Sequence, residues 1–161
     1  MKKSKIAIKN PREGKIAELA KEAEHKTLAT WGLDCAERVL HFFEDKYPED
    51  RRPRMAIEAG RAWVRTGVFR MAVIRKASLD SHASARAVED DDAARSAARA
   101  AGQAVAAAHV PAHALAAAAY AATVVRDYAE PADAGAAVEK EREWQYRHLL
   151  ELRKHTKASS L

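Results

Sequence analysis

The chain has 161 residues, 48% of them hydrophobic but only 6% aromatic, and a formal net charge of +5. That length suits one domain burying about two-thirds of its unfolded surface, and the single cysteine, Cys35, excludes an intramolecular disulfide and fits a reducing cytoplasm. The start MKKSKIAIKN lacks the apolar run of a signal peptide, and no segment approaches the ~20 apolar residues of a membrane span. The reading is therefore a cytoplasmic protein.

Residues 1–10 form a basic tail, followed by one helical domain over 11–154 and a disordered tail over 155–161. Asn10, Pro11 and Glu13 read as a helix start, with that helix running to about Lys26. A second helix begins at Thr27 or Thr30, and Leu28, Trp31, Cys35, Val39 and Phe42 recur at spacings of three and four as a core-facing stripe. Cys35 on that stripe is read as a small core residue. Pro48 ends the helix, and Asp50 caps a third, Pro53 to Thr66, which Gly67 stops. A fourth spans roughly Arg70 to Val88, with Ser78, His82 and Arg86 in one polar line at i, i+4 and i+8.

Asp91 to Val125 is more than half alanine. Alanine loses no rotamer freedom in a helix and lets neighbouring helices approach closely. Pro111 divides the stretch, so it reads as a central hairpin of two helices. Glu130-Pro131-Ala132-Asp133 closes the second, and Asp133 caps a last helix to about Arg153. The expectation is an all-α single-domain bundle of about seven helices. Its aromatic bulk is confined to Trp31, Phe42, Phe43, Trp63, Phe69, Tyr120, Tyr128, Trp144 and Tyr146.

Several polar groups fall on helix faces that should be inside. Arg95, Arg99 and His109 share a stripe with Gly102 and Ala106, and His113 shares one with Tyr120. Glu141, Gln145 and His148 lie within the inner arc of the last helix. A buried charge needs a partner, so one of Arg86, Arg95 or Arg99 is expected to meet Glu141. His82, the other histidines and Tyr120 would complete a network that either fixes helix register or forms a ligand site. His109 and His113 are four apart, but Pro111 intervenes and no acid or cysteine is near, so no metal and no cofactor is assigned. No nucleophile–base constellation is visible, which argues against an enzyme.

From Arg51 to Lys76 there are eight basic residues against one acid, Glu58. Arg51, Arg52, Arg54, Arg61 and Arg65 form a candidate basic binding face, or else a solvated face on which Arg54, Arg61 and Arg65 pair with Glu58 along one side. No helix-turn-helix signature and no aromatic stacking set accompanies them, so nucleic acid is a secondary reading.

The segments 27–67, 81–122 and 139–152, with the ordered motifs DCAERVL, AIEAGRAWVR, AARAAGQAVAAAHV and EREWQ, resemble the Imm-5-like immunity proteins of bacterial polymorphic-toxin systems. The resemblance covers about Thr27 to Leu152. It implies a helical, non-enzymatic protein-binding module that neutralises a toxin by direct binding, and it carries over no catalytic residue. Gln103 stands where the family's alanine-rich motif leads us to expect a histidine, which weakens any role requiring three histidines there. Two alternatives stay open: nucleic-acid binding through 51–76, and metal or small-ligand binding through His82, His109, His113 and Glu141. A homodimer is a further expectation.

Overall fold

The computed structural model describes residues 12–159, so the basic tail read over 1–10 and the start signal at Asn10 lie outside the described residues. Within them, seven helices of ten residues or more and one four-residue helical turn follow one another, with no strand. They are α1 (Arg12–Lys21), α2 (His25–Val39), α3 (His41–Glu44), α4 (Arg52–Thr66), α5 (Met71–Ala87), α6 (Asp92–Ala106), α7 (His113–Tyr128) and α8 (Ala134–Ser159). The chain is an all-α bundle.

Local chemistry sets most ends. Gly67 takes φ 71°, the left-handed conformation that stops α4 without a Cβ clash, and its N–H reaches the Trp63 carbonyl. Asp91 caps α6 by accepting a hydrogen bond from the Ala94 amide at 3.1 Å. Asp50 does related work one residue early: α4 is preceded by Arg51, but the Asp50 carboxylate accepts from the Arg52 amide at 3.1 Å.

Three boundaries differ from the sequence reading. The first helix ends at Lys21 rather than Lys26, because Glu22 and Ala23 bond three residues back and Glu24 turns extended before α2. The second is interrupted at Leu40, leaving α3 as a separate turn. The last helix continues past Arg153 to Ser159, with Thr156 bonding Thr27 across to α2 at 2.8 Å. That bond gives the final turns a tertiary partner the local sequence does not announce.

α6 is the axis of the molecule. It packs on α5 and α7, and also on α2, α3 and α4. Alanines on nearly every side of it are buried, among them Ala94, Ala97, Ala98, Ala101 and Ala104. Small side chains supply little apolar area each, so α6 contributes mainly by close approach, while bulk comes from Trp31, Leu33, Leu40, Phe43, Ile57 and Leu149 around it. The closest approach is at Gly32 of α2, where a Cβ would meet the Ala114 Cβ of α7 at 2.9 Å. Cys35 is fully buried on the expected stripe, and burial pushes its thiol pKa well above the ordinary value. Two aromatics assigned to the core are not in it. Phe69 and Tyr128 are exposed, because each sits at or beyond a helix end where no further element covers it.

Candidate functional site

The inner polar residues do not form one network. They divide between two seams and the end of the bundle.

The first seam lies between α8 and α2. Glu141 is buried, and its carboxylate is held by Arg38, whose Nε donates to both oxygens at 2.8 and 3.2 Å. The same guanidinium lies 4.2 Å from the centre of the Trp144 ring. Burial, opposed by Arg38, raises the Glu141 pKa. The expected partnership of Glu141 with Arg86, Arg95 or Arg99 is therefore wrong. Arg38 was overlooked because, seven residues after Trp31, it borders the apolar stripe of α2, where a long charged side chain reads as reaching into solvent. Gln145, fully buried, donates to the Ala118 carbonyl at 2.9 Å and accepts from Arg142 at 2.9 Å. Trp31 Nε1 donates to the Gln145 backbone carbonyl at 2.8 Å. One turn of α8 thus ties α2 and α7 together, and Arg142 extends the tie to Glu13 of α1 at 2.8 Å.

From this seam a chain of ion pairs crosses the surface. His148 Nε2 donates to Asp34 at 2.7 Å, and the other Asp34 oxygen meets Arg61 at 2.9 Å. Arg61 meets Glu37 at 3.0 Å, Glu37 meets Arg54 at 2.9 Å, and Arg54 forms a two-pronged pair with Glu44 at 2.6 and 3.0 Å. Arg52 pairs with Asp50, and Arg51 with Glu58. Glu58 therefore serves Arg51, not Arg54, Arg61 or Arg65 as the spacing suggested. Four of the five arginines of the proposed basic face carry acidic partners, drawn from α2, α3, the loop before α4 and α4 itself. Only Arg65 has none among the described residues. The Arg54 contact holds the Glu44 carboxyl below its ordinary pKa.

The second seam joins α5, α6 and α7. Arg99 Nη1 donates to His82 Nδ1 at 2.8 Å. Since Nδ1 accepts, the ring is neutral with its proton on Nε2. Burial, together with the charges of Arg99 and Arg86, lowers the His82 pKa to about 4. The ring is seated over Gly102, where a Cβ would come within 2.8 Å of Nε2, and Ser78 hydroxyl donates to the Gly102 carbonyl at 2.9 Å. On α7, His113 Nδ1 donates to the Gln103 side-chain oxygen at 2.7 Å. Tyr120 lies within electrostatic reach of Arg99, while Arg95 turns away to Asp92 at 2.9 Å and to the Glu89 carbonyl.

His109 belongs to neither seam. It lies beyond the end of α6, exposed, with its ring 6.0 Å from that of Phe69. Together with Met71, Ile74, Leu79, Ala106 and His113 it lines a pocket of about 280 Å³ at one pole of the bundle. Phe69, Met71, Leu79 and Val110 are exposed around it. Arg65, Arg70 and Arg75 are exposed near the same pole and take no carboxylate partner among the described residues. Sequence reasoning missed this pole because it gathers side chains from the distant α4–α5 and α6–α7 connections, and Phe69 reads as bulk for the core.

Glu141 is held at the other seam, away from the histidines; His113 acts on His82 and shares the pocket at the pole with His109, but no group of three histidine, cysteine or carboxylate side chains able to hold a metal occurs among the described residues. No described helix is long and apolar enough to cross a membrane. Comparison with curated proteins and with solved structures returns no match. One family model does match, over residues 18–152, which is most of the chain and includes both seams and the exposed pole. The protein belongs to the family described as Imm-5 like putative immunity protein.

Proposed function

We propose that the chain neutralises a toxin by direct binding, without chemistry of its own, and that the docking face is the pole formed by the α4–α5 and α6–α7 connections. The observation carrying this reading is the exposed apolar group Phe69, Met71, Leu79 and Val110 around a concave pocket. Soluble proteins seldom leave such side chains together in water unless a partner covers them. The pocket suits one apolar side chain, and the surrounding Arg65, Arg70 and Arg75 suit a partner that is acidic about that anchor. Family membership supports a toxin as the partner.

The alternative, nucleic-acid binding through 51–76, loses most of its charge to the ion pairs of Arg51, Arg52, Arg54 and Arg61. A phosphate-binding face needs cations free to replace counterions. The test is co-expression with any toxin found encoded beside this gene. The wild-type chain protects the cells and co-purifies with the toxin, whereas Phe69→Asp and Leu79→Asp fold normally and do neither. Absence of protection by the wild type refutes the toxin reading. Full protection by both variants moves the docking face elsewhere.

A further inference from the structure

We infer, on the reading that the pole of the α4–α5 and α6–α7 connections docks the partner, that the side chain its pocket takes is a tyrosine, selected by His113 and Arg75.

The pocket has a volume of about 280 Å³, a little below the range of sites for drug-sized ligands, so it suits a single side chain. Met71, Ile74, Leu79 and Ala106 supply its apolar wall. The exposed His109 ring, which also lines it, is stacked on Phe69 and adds an aromatic edge. Such a wall favours a ring over an aliphatic chain, because stacked and edge-on aromatic contacts add to the area buried.

Two polar groups in the lining set what that ring must carry. His113 Nδ1 donates to the Gln103 side-chain oxygen at 2.7 Å, so in the neutral imidazole the proton sits on Nδ1 and Nε2 keeps a lone pair. Nε2 has no hydrogen-bond partner among the described residues. A purely apolar side chain seated here takes that nitrogen out of water and leaves it unmatched, whereas an O–H at the tip of the ring can donate to it. The Arg75 guanidinium, in the same lining, is exposed and takes no carboxylate among the described residues; it calls for an acceptor. A phenol oxygen meets both demands, donating its proton to Nε2 and accepting from Arg75. An indole N–H donates only, and a phenyl ring does neither. Tyrosine, apolar along its ring and polar at its tip, is also among the residues that dominate binding at interfaces.

The experiment is an NMR titration of the labelled full chain with the N-acetyl amides of tyrosine, phenylalanine and tryptophan, at about pH 8, where an ordinary imidazole is neutral. The tyrosine amide is expected to shift Ile74, Leu79 and His113 resonances saturably. It binds roughly three- to tenfold more tightly than the phenylalanine amide, the factor one hydrogen bond contributes. His113→Phe, which keeps a ring but no acceptor, brings those two amides level. Arg75→Gln changes a side chain that lies in solvent, so it leaves the core intact, and it narrows the same gap. Equal affinities in the wild type, tighter binding of the tryptophan amide, no saturable binding, or a tyrosine preference that survives both substitutions overturns the assignment. The docking pole is judged separately, by whether Phe69→Asp abolishes protection: that loss combined with equal amide affinities keeps the pole and refutes the tyrosine.

Discussion

Gly32→Ala tests whether the bundle depends on close approach of small residues. Gly32 lies in the middle of α2, and an added Cβ would sit 2.9 Å from the Ala114 Cβ and 3.0 Å from the Ala114 Cα on α7. Ordinary contact begins near 3.4 Å, so the two helices must part by about 0.5 Å. The obstacle is backbone and a methyl group, neither of which can rotate aside. Alanine gains about 1 kcal/mol over glycine in helix propensity, and overpacking of a tight interior costs about 1–3 kcal/mol. The expected result is a net loss of roughly 1 kcal/mol, a fall of about 2–4 °C in Tm for a domain of this size. Gly14→Ala is the control, because nothing lies within 4 Å of its Cβ and it sits inside α1. Only the propensity gain operates there, so stability rises by up to about 1 kcal/mol. Urea and thermal unfolding of both variants should move them in opposite directions. Adding Ala114→Gly to Gly32→Ala should restore part of the loss, since one of the two clashing atoms is removed. A Gly32→Ala protein as stable as Gly14→Ala, or no recovery in the double variant, would refute the packing argument.

Three further outcomes follow from the polar seams and the α6 cap. Burial raises the Glu141 pKa, so the folded state favours the protonated acid, and the associated stability is present below its unfolded pKa and lost as pH rises through the folded value. Glu141→Gln should flatten that decline in unfolding experiments across the acidic range, whereas Arg38→Gln, which strands the carboxylate, should destabilise the protein by roughly 2 kcal/mol at neutral pH. The His82 pKa is lowered to about 4, so its neutral form contributes stability above the unfolded value near 6.5 that declines as pH falls towards 4. His82→Asn should remove that decline, and an unchanged pH profile would count against the neutral ring bonded to Arg99. Asp91→Ala removes the α6 cap and the Lys46 ion pair, and should cost about 1 kcal/mol by thermal melting.

The exposed pole and the buried seams make different demands on the same helices. Phe69, Met71 and Leu79 contribute little to the core, so replacing them should leave the melting temperature nearly unchanged. Gln145, by contrast, bonds α7 and receives Arg142 from within its own helix while fully out of water. Its removal reaches stability before it reaches any partner.

The sequence by itself determined the helices and several of their ends. Stripe spacing, the alanine runs, the cap at Asp91 and the stop at Gly67 are local properties, decided by residues within a turn or two. The family motifs were legible for the same reason, as runs of neighbouring residues. A helical wheel also placed Glu141, Gln145 and Arg99 on inner or half-buried faces. What the wheel cannot supply is the rotation and register of one helix against another, which depend on how side chains from distant segments fit. That fit sent Glu141 to Arg38, 103 residues away, rather than to the arginines of α6. It also gave acids to Arg54 and Arg61, left Arg99 and Arg86 without them, and opened the pole around Phe69 where bulk alone suggested core.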